Sequence, residues 1–174
     1  MRNFSLPSQG RCIHFLAWLP ALLVMLVFFI VSHQEGTEIH LPAFWNSDKL
    51  LHFFAYTVLG LCLGAIPTIE YFLSKWIKPA LYKACANPSS HLSPIKQQDP
   101  SRQNQTEKIQ SKKIKGLIRL SAGILYGGFD EIHQSYIPYR TAGLGDFTAD
   151  ALGVIFGYWI AQSLNKRFLV SALD

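Results

Sequence analysis

The sequence is poor in cysteine and in charge, and each shortage excludes something. Its 174 residues hold three cysteines, Cys12, Cys62 and Cys85. They form no CxxC pair, which excludes a disulfide framework and the usual zinc spacings. They read as small hydrophobes in or near apolar segments. Only 16% of residues are charged, against about 25% in ordinary soluble domains. Residues 86–113 have no aromatic side chain and few large aliphatic ones. Such a stretch cannot bury enough apolar surface to order itself, so a disordered linker is expected there. The match to a glycosylation pattern at Asn104, Gln105 and Thr106 is set aside, because a cytoplasmic linker never meets that machinery.

What is present is apolar sequence, strongly segregated. Half of the chain, 49%, is hydrophobic. A bilayer core needs about 20 apolar residues as helix. Four segments are expected to meet that need: residues 13–32, 49–68, 117–134 and 151–169. The first follows Arg2 and Arg11, as a signal peptide would. Its apolar core exceeds the ~7–15 residues of such peptides, and no A-x-A site follows. An uncleaved anchor is expected. Residues 69–85 place Ile69, Phe72, Leu73, Trp76, Ile77, Ala80, Leu81 and Ala84 at helical spacing. That stripe predicts an amphipathic helix lying on the membrane, kinked at Pro79. A plain extension of the second span is the alternative.

Charge sets the expected orientation. Fourteen of the sixteen Lys and Arg residues fall in the N-terminus, the long linker region and the C-terminus; only Lys49 and Arg140 fall on the other side. Basic residues stay cytoplasmic, so both termini are expected in the cytoplasm of a multi-pass protein. Seven of the eleven acids, including Asp48, Asp130, Glu131, Asp146 and Asp150, fall outside. The net charge of +5 is thus explained by topology and anionic lipid, and nucleic acid is not expected as a partner. The reading is an all-α polytopic membrane protein: a single domain, a four-transmembrane-helix bundle with a disordered cytoplasmic linker.

Ionisable residues cluster at the outer ends of three spans. Asp48, His52 and Tyr56 are spaced i, i+4, i+8 on one helix face, with Lys49 adjacent. Tyr126, Asp130 and His133 or Gln134 line a face of the third span, beside Glu131; Asp146 and Asp150 open the fourth, with Arg140 in the connecting loop. A charge at membrane depth costs several kcal/mol unless paired or hydrated. Two adjacent acids inside a span therefore predict a polar pocket, with Lys49 and Arg140 as the cationic partners of Asp130 and Glu131. Plainer roles exist for single members: Asp48, Asp146 or Asp150 as helix caps, Tyr56 as an interfacial aromatic, Lys49 as a snorkelling base. Gly60-x-x-x-Gly64, Gly123-x-x-x-Gly127 and Gly153-x-x-x-Gly157 let helix backbones approach closely in lipid.

Those same residues resemble the VanZ-like family of small bacterial membrane proteins. The resemblance rests on DKLLHFFAYTVLGLCLG and ILYGGFDEIHQSYIPYRTAGLGDFTADALGVIFG. The family's Asp-Lys-x-x-His-x-x-x-Tyr start, its Asp-Glu-x-His-Gln group, and a later Arg, Asp and Gly fall on Asp48, Lys49, His52, Tyr56, Asp130, Glu131, His133, Gln134, Arg140, Asp146 and Gly153. Two positions depart: Tyr139 stands where the family usually has Gly, and Asp150 where it usually has Asn. The resemblance implies a link to teicoplanin-type glycopeptide resistance by analogy and names no reaction. The first expectation is a protein that binds or modifies an envelope lipid head group or lipid-linked precursor. His52 or His133 would be the base, Asp130 or Glu131 its orienter, and Arg140 or Lys49 the holder of an anionic group. Asp48, Tyr56, Gln134, Asp146 and Asp150 complete the binding candidates. A divalent metal held by His and carboxylates is compatible with these residue types, but no metal ligand or cofactor is assigned. The alternatives are a small proton- or ion-coupled transporter and a structural or regulatory subunit.

Overall fold

A computed structural model describes residues 7–34, 47–85, 102–140 and 142–171. Among them are four helices and no strand: α1 (Pro7–Ser32), α2 (Ser47–Cys85), α3 (Arg102–Gln134) and α4 (Leu144–Ser171). The all-α reading of the sequence holds. At about 1.5 Å per residue the 39 residues of α2 reach roughly 58 Å.

Contacts along the helices fix their directions. His14 meets Glu70, and Phe28 packs on Tyr56, so α1 and α2 are antiparallel. Lys49 meets Asp146 and Thr68 meets Asn165, so α2 and α4 run parallel. Tyr56 bonds Asp130 from α3, which is antiparallel to both. The C-terminal ends of α1 and α3 therefore sit beside the N-terminal ends of α2 and α4.

The most extensive contact is between α2 and α4. Glycine explains it. A Cβ at Gly153 would lie 2.4 Å from Phe53 O, and one at Gly157 would lie 2.0 Å from Thr57 O. Gly60 and Gly64 answer from the other helix, against Val154 O and the Ala161 Cβ. The backbones themselves are in contact, close enough for Cα–H···O interactions. Gly123 of α3 abuts Leu63 and Val154, and Gly127 abuts Asp150 and Tyr56. All three glycine motifs thus lie at helix contacts. The core they enclose is Leu59, Leu63, Ile66 and Val154, all fully buried, with Ala17 and Ala21 from α1. Beyond it, Asn165 and Gln162 donate to Gly64 O.

Two segments differ from expectation. Residues 69–85 continue α2 as one helix, the alternative that their spacing left open. Residues 102–113, expected to be disordered, are helical and belong to α3. Their described side chains are exposed, so packing does not hold them. Gln, Lys and Glu are good helix formers, and extending a helix that is already nucleated and packed adds one bond per residue fixed. The rest of the expected linker lies outside the described residues.

Of the four expected spans, α1 and α2 are long and apolar enough to cross a membrane, by length and composition; α3 and α4 have the length but a less apolar composition. Only 17% of the apolar window Cys12–Ser32 is buried in the fold. Leu23, Leu26, Val27 and Ile30 all face outward. A core helix of a soluble domain would hide them, so these two helices suggest a membrane location.

The α3–α4 connection carries one unusual backbone. Tyr139 has φ 59°, a conformation that side chains disfavour by roughly 1–2 kcal/mol and glycine does not. The resemblance noted above leads one to expect glycine at this position. The ring is exposed, so little packing is lost with it. Tyr139→Gly is expected to raise stability by up to about 1 kcal/mol, after the extra chain entropy of glycine is subtracted. Thermal unfolding in detergent measures this; an unchanged or lower midpoint refutes the strain.

Candidate functional site

Four helix ends converge on one polar cluster. α2 and α4 present their N-termini, where partial positive charge and free N–H groups favour carboxylates. Asp48 lies in the first turn of α2 and Asp146 in that of α4. Gly143 takes the cap of α4, its carbonyl accepting from Asp146 N and Phe147 N. Asp146 is therefore not the cap itself. Its carboxylate accepts from Lys49 Nζ at 3.2 Å.

His52 stands one turn further along α2. Its Nδ1 is 2.9 Å from Asp150 Oδ1 and 3.8 Å from Glu131 Oε1, while its Nε2 is 3.9 Å from Asp48 Oδ1. Helices α2, α3 and α4 thus each supply one of three neighbouring groups. Glu131 is fixed from the loop, its Oε2 accepting Gly143 N–H at 2.9 Å. Asp150 is completely buried and Glu131 is 7% exposed. Glu131 Oε1 and Asp150 Oδ2 are buried without a hydrogen-bond partner among the described residues. Those three residues could together hold a metal ion, since one donor atom from each lies within 4.8 Å of the others.

A second acid is satisfied separately. Asp130 Oδ2 accepts from Tyr56 OH at 3.0 Å and from Gln134 Nε2 at 3.1 Å. Gln134 also reaches Ser32 Oγ on α1 at 3.4 Å. Neutral donors therefore solvate Asp130, and no ion pair involves it among the described residues.

The cationic partners expected for Asp130 and Glu131 are corrected by the structure. Lys49 goes to Asp146. Arg140 turns to α1, where Nη2 donates to Val31 O at 3.0 Å and Nε to Gln34 O at 3.3 Å. A cation on the last carbonyls of a helix satisfies orphan acceptors and meets the negative end of its dipole. His133 also faces α1. Its ring stacks on Phe29 at 4.8 Å and on His33 at 5.6 Å, away from the His52 group. Of the sequence candidates, Asp48, Lys49, His52, Glu131, Asp146 and Asp150 gather in one network, and Tyr56, Asp130 and Gln134 form the layer beside it. Arg140 and His133 brace α1.

Sequence reasoning missed Gly143, whose N–H orients Glu131. It acts through its backbone, so its only signal was the Gly-x-Gly at the start of α4. Ser32 and His33 were also missed, because nothing at the C-terminal end of α1 advertised a polar contact.

A family model described as VanZ/LLP1 matches residues 15–165, most of the chain. No curated protein and no solved structure matches it.

Proposed function

The chain belongs to the VanZ/LLP1 family, and from that premise we propose a multi-pass membrane protein that binds or modifies an envelope component at the His52 cluster. The component would be an anionic lipid head group or lipid-linked precursor. The observation that carries this reading is the burial of Asp130, Glu131, Asp146 and Asp150 at one end of the helices, opposite the end where basic residues concentrate. Charged groups gathered at such a place mark a functional site by default.

In this reading all four helices cross the bilayer, with the termini cytoplasmic and the cluster facing out. Exposed Leu125, Phe129 and Ile132 on α3, and Leu152, Ile155 and Trp159 on α4, suit contact with lipid. The short 135–143 connection carries Arg140 as its one basic residue, which supports the outward orientation. In a background with Cys12, Cys62 and Cys85 replaced by alanine, Ala142→Cys should react with an impermeant maleimide in intact cells. Ser111→Cys should react only after permeabilisation. The reverse pattern would place the cluster on the cytosolic side and end the envelope reading.

Lys49 is the group best placed to meet an anionic ligand. Its side chain is 45% exposed, and its ammonium has three donors, one of them directed at Asp146. Losing one charge-assisted hydrogen bond removes about 1.5–3 kcal/mol, or roughly 10–100-fold in affinity. Lipids extracted from the detergent-purified chain should include one enriched anionic species, depleted at least about tenfold in Lys49→Met. Wild-type protein carrying the same lipids as an unrelated membrane protein would defeat the proposal. Between this cluster and the Asn165 end, the α2–α4 interior is the apolar core of Leu59, Leu63, Ile66 and Val154. A proton relay across the bundle finds no carrier among those residues, which disfavours the transporter alternative.

A further inference from the structure

We infer that His52, Glu131 and Asp150 form a binding site for one divalent transition-series cation. The argument begins with unbalanced charge. Glu131 and Asp150 are buried side by side. Lys49 serves Asp146, and Arg140 serves the carbonyls of α1. Two carboxylates are therefore left to share a single imidazole, which a buried site tolerates poorly.

The orientation of the three groups is that of ligands already held in place. Gly143 N–H fixes Glu131 through Oε2, leaving Oε1 buried, unpartnered and 3.8 Å from His52 Nδ1. Asp150 keeps Oδ2 unpartnered as well. His52 turns Nδ1 to the two acids and Nε2 toward the Asp48 carboxylate. Asp48 stands behind the ring at 3.9 Å, beyond hydrogen-bond distance but near enough to favour a positive charge on the imidazole side of the site. One donor atom from each of the three residues lies within 4.8 Å of the other two, so small side-chain movements bring them around one ion. Rigid neighbours support the pair: Gly127 packs against Asp150 and Gly143 binds Glu131.

One nitrogen and two carboxylate oxygens suit Zn²⁺, Mn²⁺ or Fe²⁺ better than an all-oxygen cation such as Ca²⁺. Three protein ligands leave coordination positions open, and phosphate or carbonyl oxygens are the natural occupants. The inference rests on the geometry of the cluster and not on the identity of any envelope ligand.

The test uses the full chain in detergent, stripped with a chelator and titrated with Zn²⁺ and with Mn²⁺ by calorimetry. Wild type should bind one ion per chain, and its unfolding temperature should rise with ion concentration. Asp150→Asn and Glu131→Gln should each weaken binding at least about tenfold. His14→Gln, which removes the His–carboxylate contact with Glu70 at the far end of α2, should leave binding unchanged. Absence of saturable binding of either ion to folded wild type overturns the inference. So does wild-type affinity in both acid variants. Wild-type protein that binds the ion but carries no enriched anionic lipid would instead count against the envelope reading alone.

Discussion

Gly157→Ala is expected to lower stability by more than about 3 kcal/mol, although it adds one methyl group. In an exposed helix the same change stabilises by up to about 1 kcal/mol, because alanine is the better helix former. Here the new carbon would sit 2.0 Å from Thr57 O and 2.8 Å from Leu61 N. Both are backbone atoms of a packed helix and cannot rotate away. Relief requires α2 and α4 to separate along their whole contact, so the effect exceeds the ~1–3 kcal/mol of ordinary overpacking. Gly128→Ala is the matched comparison. Its Cβ would meet the Phe147 ring at 3.5 Å, an ordinary contact, so stability should hold or rise. Unfolding in detergent, followed by circular dichroism, compares the two. Equal effects would mean that α2 and α4 do not meet at Gly157.

The second large effect concerns His52. His52→Leu leaves the fully buried Asp150 without the imidazole that now hydrogen-bonds it at 2.9 Å. Breaking a buried pair from one side typically costs about 3–5 kcal/mol, because a carboxylate stays buried and unmatched. Removing both partners is different, since an apolar pair of similar volume is often neutral. The double variant His52→Leu/Asp150→Leu should therefore recover part of the lost stability, since Glu131 stays buried with Gly143 N–H as its partner, while abolishing cation binding. A double variant no more stable than the single one would show that the two side chains are not coupled. A double variant that retains the ion would remove His52 and Asp150 from its site.

The glycine pairs and the His52 cluster depend on one another. The α2–α4 approach that Gly153 and Gly157 permit is what brings His52 within reach of Asp150, one to two turns away. A methyl group at Gly153, whose Cβ would meet Phe53 O at 2.4 Å, should disturb the cluster by spreading the helices, without touching any of its polar atoms.

Several particulars were legible in the sequence. The apolar runs announced four helices, because a helix in an apolar setting must satisfy its backbone internally. The i, i+4 spacing placed Asp48, His52 and Tyr56 on one face, and the three Gly-x-x-x-Gly motifs marked the close contacts. Helix ends were less legible. α3 begins at Arg102, well before the apolar residues that located it, because polar helix formers extend a nucleated helix without burying anything; α4 begins at Leu144, ahead of its apolar run, where Asp146 and Asp150 are buried against the other helices.

What the sequence determined by itself was the set of elements and the acid- and histidine-rich character of one end. Composition and periodicity are local properties, and they suffice for helices. Only the tertiary structure decided the partnerships: Lys49 with Asp146, Arg140 with the carbonyls of α1, His133 in an aromatic stack, and His52 between two acids. Each is a contact between residues far apart in the chain, fixed by the parallel run of α2 against α4 and by which glycine meets which backbone. Spacing along one helix says which side chains share a face, but the facing helix selects the partner.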